Sequence, residues 1–242
     1  MYRFTIEIAR RRIQIESVWK RAFAWSRNYL TEEASDFCVA STEEEIEQRR
    51  AIYGELNNDL DPLDRDVEMS VLLSKVAKGM LDYDTLLMHG AVVAYKDKAY
   101  MFSAPSGTGK STHIRKWVRS LPGAFVVNGD KPFIITGDTP MACGSPWCGK
   151  ERWQTNKQVP LAAIVLMERG EENEIREISF KEAFPGLLRQ THRPGDVAKM
   201  EKTLHLLKSL DHKVKFYSFH FNNLKPDAFQ VAYHELVEKQ NE

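Results

Sequence analysis

Apolar and polar positions along the chain recur with two different periods, which predict strands in some stretches and helices in others. Residues 2–8 alternate and predict a strand. Residues 66–81 predict an amphipathic helix, because apolar side chains recur there at helical spacing: Met69, Leu72, Leu73, Val76 and Met80. Two apolar runs, 86–95 and 99–104, predict strands. Only a short turn separates them, so we expect the two strands to pair antiparallel.

The remaining segments continue this mixture of strands and helices. Residues 12–40 are expected to hold short strands or loops, and residues 59–64, around Pro62, to break the chain. A capping box is expected at the start of the next helix, between Ser41 or Thr42 and Glu44 or Glu45. The other predicted strands are 37–40, 124–128, 132–136, 140–143, 161–168 and 214–221. The other predicted helices are 41–56, 110–120, 180–191, 196–209 and a last one with Pro226 in its first turn.

Length and composition narrow the class of protein. A chain of 242 residues suits one large domain, or one domain with an appendage. With 43% hydrophobic and 28% charged residues it is expected to be globular. Lys plus Arg and Asp plus Glu balance at 34 each, which argues against a dedicated nucleic-acid binder, because such proteins carry a basic surplus. No signal peptide and no stretch of ~18 apolar residues is evident, so we expect a cytoplasmic protein with no membrane partner.

The strongest chemical signal is the segment APSGTGKS at 104–111, which matches the phosphate-binding P-loop pattern except that alanine stands first. A predicted strand precedes the segment and a predicted helix follows it, as the motif requires. Gly107 and Gly109 allow the backbone to turn successive N–H groups towards a phosphate. Lys110 can reach the β- and γ-phosphates, and the Ser111 hydroxyl can ligate Mg²⁺. The predicted nucleotide-binding residues are Ser106, Gly107, Thr108, Gly109, Lys110, Ser111 and Thr112.

Asp130 is the candidate for a second Mg²⁺ ligand. It follows the strand at 124–128, the next strand after the P-loop helix, where such proteins usually place this carboxylate. The segment Asn128-Gly129-Asp130 is also good turn chemistry, so a purely structural turn is the alternative. His89 lies at the edge of the strand that leads into the P-loop hairpin, a position at which a lone histidine is more often structural.

A loop at 144–160 is rich in glycine, proline and tryptophan and also carries cations. Beside a triphosphate, Lys150 and Arg152 could clamp the charge that develops during phosphoryl transfer. A solvated surface loop, with Trp147 and Trp153 packed into the core, is an equally good interpretation.

Taken together, these segments resemble the HPr kinase/phosphorylase-like P-loop kinases, which share a fold with phosphoenolpyruvate carboxykinase. The resemblance covers residues 66–242 and rests on the order LLMHGAVV, hairpin, SAPSGTGKST, strand, Asp130, hairpin, GSPW loop and PLAAIVLME strand. It implies an α/β fold in which helices flank a mixed sheet with hairpins. Residues 1–65 lie outside the resemblance, and we expect them to form an N-terminal extension packed on the same domain or a docking surface. ATP and Mg²⁺ are the implied cofactors. The implied functional residues are His89, Lys110, Ser111 and Asp130.

The chain departs from this family where the kinases commonly carry two adjacent acids. Here the stretch reads Gly129-Asp130-Lys131, so one carboxylate is present. Asp130 alone, or Asp130 together with His89, is left to deprotonate the acceptor. No counterpart of the signature associated with phosphorylase activity is evident, so the resemblance favours a kinase without that second activity.

The prediction is therefore an ATP- and Mg²⁺-dependent kinase that acts on a hydroxyl, either Ser or Thr of a protein or peptide or a small molecule. The family's habit of assembling is compatible with a homo-oligomer. Two alternatives stay open: a nucleotide-binding regulatory protein with reduced catalysis, and an ATPase that a partner stimulates. The predicted site comprises Asp130, His89 and Lys110 as catalytic residues, Ser111 and Asp130 as metal ligands, and Lys150 and Arg152 as a phosphate or substrate clamp.

Overall fold

The computed structural model describes residues 1–56, 63–222 and 224–239. The chain divides into two compact units, Met1–Tyr83 and Asp84–Glu242. The sequence placed the start of the catalytic domain at residue 66, before the long amphipathic helix, whereas this helix belongs to the first unit. The predicted break at 59–64 falls for the most part outside the described residues.

The first unit is built on a four-stranded mixed sheet. Its strands are β1 (Tyr2–Ile8), β2 (Arg11–Ser17), β3 (Leu30–Thr31) and β4 (Phe37–Ala40). They lie in the order β3-β1-β2-β4, with β1 antiparallel to both of its neighbours and β4 parallel to β2. The predicted alternation in β1 is confirmed, since Phe4, Ile6 and Ile8 are buried while Arg3 and Glu7 are exposed.

The described part of the first unit has three helices, of which the second and third were predicted, whereas the first lies where the sequence predicted short strands or loops. They are α1 (Lys20–Trp25), α2 (Glu43–Leu56) and α3 (Asp64–Met80). The predicted capping box is formed at the start of α2, where the Glu45 amide donates to Thr42 Oγ1 at 3.3 Å and the Thr42 amide donates to Glu45 Oε2 at 3.1 Å. Leu72, Val76 and Met80 are fully buried, which confirms the apolar face predicted for α3.

A buried carboxylate joins α3 to two other parts of the first unit. Glu68 is fully buried and accepts hydrogen bonds from the Val18 amide at 2.5 Å, the Trp19 amide at 3.2 Å and Ser41 Oγ at 2.6 Å. Three donors around one carboxylate offset the free energy lost when its charge leaves water. Glu68 is thus a structural residue of this unit.

The second unit is built on a nine-stranded mixed sheet. Its strands are β5 (Thr85–Leu87), β6 (Ala91–Tyr95), β7 (Lys98–Ser103), β8 (Phe125–Asn128), β9 (Phe133–Ile135), β10 (Met141–Cys143), β11 (Gln158–Arg169), β12 (Glu174–Ile178) and β13 (Lys215–Phe221). The order is β5-β9-β10-β11-β7-β6-β8, and β13 pairs with both β11 and β12. Strands β7, β11 and β13 run parallel at its centre, so their carboxyl ends meet at one edge.

One predicted strand is two strands in the structure. Residues 86–95 are divided into β5 and β6 because the backbone of the residues between them bonds outside the strand ladder. The His89 amide donates to the Gln190 carbonyl at 2.7 Å, and the Gly90 amide donates to the Asp130 carbonyl at 2.9 Å. The interruption therefore brings His89 towards Asp130. The antiparallel pairing predicted for the following hairpin, β6 with β7, is confirmed.

Helices pack against this second sheet. They are α4 (Lys110–Ser120), α5 (Phe180–Gln190), α6 (Val197–Lys208) and α7 (Ala228–Tyr233), the last of which continues as a π-helical turn, His234–Glu238. All four correspond to helices that the sequence predicted. Strand β12 was not predicted, because its residues are mostly polar and only partly buried, and it is ordered by pairing with β13.

The core of the second unit gathers aromatic side chains between α4, α7 and the sheet. Trp117 and Phe102 are fully buried there, with ring centroids 5.7 Å apart. Of the helices in the described part of the chain, none combines the length and the apolarity needed to cross a membrane.

Candidate functional site

The P-loop lies where the sequence predicted it, between the end of β7 at Ser103 and the start of α4 at Lys110. Gly109 precedes the helix with φ of +116°, a conformation that L-residues with a side chain rarely adopt. A Cβ at this position would lie 2.5 Å from Cε1 of Phe221, so the close approach of β13 also requires glycine. The loop therefore delivers the positive end of α4 to the cavity described below.

Lys110 is held across the loop by the carbonyls that precede it. Its Nζ donates to the Ala104 carbonyl at 2.7 Å and to the Pro105 carbonyl at 3.1 Å. Only 8% of the residue is exposed. Burial lowers the pKa of Lys110, the charge of Asp130 opposes that effect, and the charge of Lys131 adds to it. The ammonium is thus poised beside the loop, within reach of any phosphate that the loop binds.

Two further contacts stabilise the loop, one within the motif and one from outside it. Thr108 Oγ1 donates to the Pro105 carbonyl at 2.9 Å, and Arg169 Nη2 donates to the Gly107 carbonyl at 3.0 Å. Sequence reasoning missed Arg169. The signal that could have found it is its place at the end of β11, because β11 runs parallel to β7 and the carboxyl ends of the two strands meet at the loop.

Asp130 is positioned by a turn that its neighbours impose. Asn128, fully buried at the end of β8, accepts from the Asp130 amide at 2.8 Å and from the Lys131 amide at 2.7 Å through its Oδ1. Its Nδ2 is fixed by the Ser145 carbonyl at 3.0 Å. The turn chemistry that the sequence offered as an alternative is therefore present, and it serves to aim the carboxylate.

The loop that follows β10 packs directly against Asp130. Gly149 has φ of +77°, and a Cβ added to it would lie 3.0 Å from the Asp130 Cβ. A larger residue at 149 would therefore displace the carboxylate. In this way the glycine-rich loop predicted at 144–160 forms one wall of the site.

His89 links Asp130 to helix α5. Its Nε2 lies 3.2 Å from Asp130 Oδ1, and its Nδ1 lies 3.0 Å from Gln190 Oε1. Both ring nitrogens of His89 thus face oxygen atoms of neighbouring side chains. Gln190 was not a sequence-predicted site residue. The end of a helix far along the chain carries no local signal of this contact.

Cations surround the Asp130 carboxylate. Burial by itself raises the pKa of Asp130, but the hydrogen bond from His89 and the charges of Lys131 and Lys110 outweigh it, so the pKa lies below its ordinary value. Lys131 Nζ lies 4.0 Å from Asp130 Oδ1. Burial lowers the pKa of Lys131, and Asp130 opposes this. The carboxylate is therefore ionised at neutral pH.

A cavity of about 470 Å³ opens above the P-loop and collects most of the predicted site. The predicted residues that line it are His89, Ser106, Gly107, Gly109, Lys110, Ser111, Thr112, Asp130 and Lys150. Thr108 is not among the lining residues. Arg152 lies instead on a different surface depression, with Arg115 and Trp153, so the two members of the predicted clamp are separated. Glu151, which the sequence did not single out, adds a second carboxylate to the lining.

The donor set in this cavity fits a Mg²⁺ ion that arrives with a nucleotide. The Ser111 hydroxyl and the Asp130 carboxylate both line it, and Mg²⁺ is usually held by one or two carboxylates together with substrate phosphates. Within residues 1–56, 63–222 and 224–239, no group of three or more His, Cys, Asp or Glu side chains is arranged to hold a metal by itself.

Comparisons with known proteins give similarity to solved structures only, and it is distant. No family model matches the chain. No curated protein matches it either. Among solved structures, the HPr(Ser) kinase/phosphatase from Coxiella burnetii is similar at 9% sequence identity and a TM-score of 0.39, over 64% of this chain and 98% of that chain. The similarity is distant and concerns the fold alone.

Proposed function

We propose that the protein is an ATP- and Mg²⁺-dependent kinase that transfers the γ-phosphoryl group to a hydroxyl, on Ser or Thr of a protein or peptide or on a small molecule. One observation carries the proposal. The P-loop lysine and the ionised Asp130 face one cavity, which also holds the Ser111 hydroxyl and the positive end of α4. A phosphate-binding loop and a carboxylate suited to accept a proton are the parts that phosphoryl transfer needs.

The P-loop residues bind and orient the nucleotide. Backbone N–H groups of Gly107 and Gly109 and the start of α4 receive the phosphate oxygens. Lys110 exchanges its carbonyl partners for the β- and γ-phosphates. The Ser111 hydroxyl and the Asp130 carboxylate are the groups that would hold Mg²⁺, which neutralises phosphate charge when it is bound.

Asp130 accepts the proton of the acceptor hydroxyl, and His89 keeps the carboxylate in place. His89 is itself held by Gln190, so a chain of two hydrogen bonds aims Asp130. The lowered pKa keeps Asp130 ionised at neutral pH, so it is ready to accept the proton without first losing one. Lys150, which lines the same cavity, is the cation that offsets the charge developing on the transferred group.

The replacement Lys110→Ala tests this function. With γ-labelled ATP and a panel of hydroxyl acceptors, we expect transfer to fall by about 100-fold or more, because Lys110 is the side chain that cancels charge on the transferred phosphate. Lys116→Ala is the matched control: it removes a lysine from the same helix that is not among the cavity's lining residues. The control should retain the wild-type rate.

Three results would contradict the kinase assignment. If Lys110→Ala transfers phosphate at the wild-type rate, the P-loop lysine does not take part in the reaction. Tight ATP binding by the wild-type protein, without transfer to any acceptor and without hydrolysis, would make it a nucleotide-binding regulatory protein. If a partner protein stimulates the release of labelled phosphate into water and no acceptor is labelled, the protein is an ATPase.

A further inference from the structure

We propose that a second cavity, next to the P-loop, binds the phosphoryl acceptor, and that Arg189 selects an acceptor with a carboxylate near its hydroxyl. This inference rests on the proposed kinase function, which it deepens by naming the class of acceptor. The cavity measures about 450 Å³ and lies where the carboxyl ends of β7 and β11 meet helix α5. In sheets of this kind, ligands commonly bind outside the carboxyl ends of parallel strands.

The second cavity borders the first at two places. Ala104 and Pro105 line it, and their carbonyls hold the Lys110 ammonium. Gln190 also lines it, and its Oε1 contacts His89, which faces the phosphate cavity. Since Lys110 is the group that meets the γ-phosphate, the γ end of a bound nucleotide lies on the side of the second cavity. An acceptor there lies beside Gln190, which contacts His89, the neighbour of Asp130.

Two acidic groups in the second cavity already have partners. Glu182 receives a hydrogen bond from Arg176 Nη1 at 3.2 Å, and Glu168 Oε1 lies 2.7 Å from His220 Nε2. These pairs occupy the carboxylates and the Arg176 guanidinium. Over the whole lining, the two carboxylates are balanced by the guanidinium groups of Arg176 and Arg189, so the cavity carries no net negative charge that would repel an anionic ligand.

Arg189 is the cation that these pairs leave over. It is exposed at the cavity, near the end of α5, and makes no hydrogen bond or ion pair with any residue that the structure describes. A guanidinium binds a carboxylate through two parallel hydrogen bonds. One guanidinium matches one negative charge, whereas a phosphate monoester, with nearly two charges, usually gathers several cations. A carboxylate is thus the anion that fits.

The rest of the lining suits a small organic acceptor. Leu166, Met167, Ile178 and Pro185 provide an apolar floor. Gly186 lets α5 approach the sheet, because a Cβ there would lie 2.6 Å from Leu166 Cδ1. The volume suits a hydroxy acid, or one hydroxyl-bearing residue with an acidic neighbour.

The transfer step balances without any further reactant. A bond forms between the acceptor oxygen and the γ-phosphorus. The bond between the γ-phosphorus and the oxygen that bridges the β- and γ-phosphates breaks, and its electron pair stays on that oxygen, which leaves as part of ADP. The hydroxyl proton goes to Asp130, and from there to water after the product leaves.

Equilibrium binding to the full-length protein, loaded with Mg²⁺ and a non-hydrolysable ATP analogue, tests the inference. Two matched pairs separate the possible sources of the carboxylate. Glycerate and glycerol differ only at the carboxyl carbon of a small molecule, and blocked five-residue peptides with serine between two glutamates or between two glutamines differ only in charge. We expect wild-type protein to bind at least one carboxylate member about tenfold or more tightly than its neutral partner.

The variant Arg189→Ala should remove that preference and leave the affinity for the nucleotide analogue unchanged. Arg193→Ala is the control, because this arginine is also exposed, lies four positions further along the chain and does not line the cavity. The control should keep the wild-type preference. Unchanged unfolding midpoints of both variants show that the fold is intact.

Either of two results overturns the inference: wild-type protein that binds each carboxylate ligand no better than its neutral partner, or a preference that survives Arg189→Ala. Phosphoryl transfer and nucleotide binding are measured separately in the same samples. If the wild-type protein transfers no phosphate but still binds the carboxylate ligand more tightly than the neutral one through Arg189, the proposed function is contradicted and the carboxylate site is not. Transfer that ignores the carboxylate would contradict the site and not the kinase.

Discussion

Lys131 follows Asp130 directly, and its ammonium lies 4.0 Å from the Asp130 carboxylate. Its charge helps to lower the pKa of Asp130, which suits a proton acceptor. Glu151, from the loop after β10, adds a second carboxylate to the lining of the same cavity. At the scale of single residues, the chain thus redistributes charge around the predicted site.

His113 is a second residue whose surroundings change its pKa, in this case inside the core. It is fully buried on α4, accepts a hydrogen bond at Nε2 from Trp117 Nε1 at 3.0 Å, and packs edge-on against Phe102 and Phe219. Burial, and to a smaller extent the charge of Lys116, lowers its pKa to about 3. The folded protein therefore holds this histidine neutral over the whole physiological range.

Acidification should destabilise the second unit through His113. The folded pKa lies below the unfolded value of about 6.5, so the unfolded chain binds more protons between these values and stability falls as the pH falls. From pH 7 to pH 5 we expect His113 to account for a loss of about 2 kcal/mol in the free energy of unfolding. Urea denaturation of wild type and His113→Gln at both pH values measures it. Between pH 7 and pH 5, the free energy of unfolding of His113→Gln should fall less than that of wild type. His212→Gln, at an exposed histidine, is the control and should lose as much as wild type.

At the scale of elements, the P-loop and α4 form one continuous segment, and its conformation depends on the packing of β13 against it. The loop ends in Gly109, whose backbone turns into the helix while Phe221 of β13 closes over it. Gly107 also has a positive φ, of +80°, but no atom would lie within 4 Å of an added Cβ. Replacing each glycine in turn therefore separates two costs to stability: an unfavourable φ, which arises at both positions, and a clash with Phe221, which arises only at Gly109.

The replacement Gly109→Ala should cost more stability than Gly107→Ala. The first introduces both an unfavourable φ and a clash with Phe221, for which we expect a loss of about 2–4 kcal/mol in the free energy of unfolding. The second introduces the unfavourable φ alone, at about 1–2 kcal/mol. Chemical denaturation of both variants makes the comparison. Equal losses would show that β13 does not constrain the loop.

At the scale of the whole molecule, the neutral formal charge, with 34 basic and 34 acidic residues, conceals a local concentration of cations. The charges of Lys110 and Lys131 both act on Asp130 in the second unit. The balance that argues against a dedicated nucleic-acid binder thus leaves room for a small anionic ligand. Binding such a ligand in the second unit must stabilise that unit, because the unfolded chain has no site for it.

Nucleotide should therefore raise the melting temperature. At a concentration of ATP and Mg²⁺ about 100 times the dissociation constant, the bound state gains about 2.7 kcal/mol, which corresponds to a rise of about 5–10 °C for a unit of this size. Thermal unfolding with and without nucleotide measures the shift. Lys110→Ala should lose most of it and Lys116→Ala should keep it. A shift that survives Lys110→Ala would place the nucleotide away from the P-loop.

Local patterns in the sequence determined much of this fold. The alternation in β1, the capping box before α2, the hairpin of β6 and β7 and the limits of α4 were all predictable, because each depends on residues close together in the chain. The P-loop belongs to the same group, since its glycines, lysine and serine are contiguous. Asp130 was identified as a candidate because it follows a strand by a fixed short distance.

Only the tertiary structure decided which distant residues share the site. Gln190, Arg169 and Glu151 come from α5, β11 and the loop after β10, and no local pattern connects them to residues 104–111. It also decided that Lys150 and Arg152 line different cavities, although they are two positions apart in the chain. Periodicity and motif spacing report short-range conformation, whereas cavities form where strands that are remote in sequence end side by side. That physical difference separates what this sequence determined by itself from what its folding added.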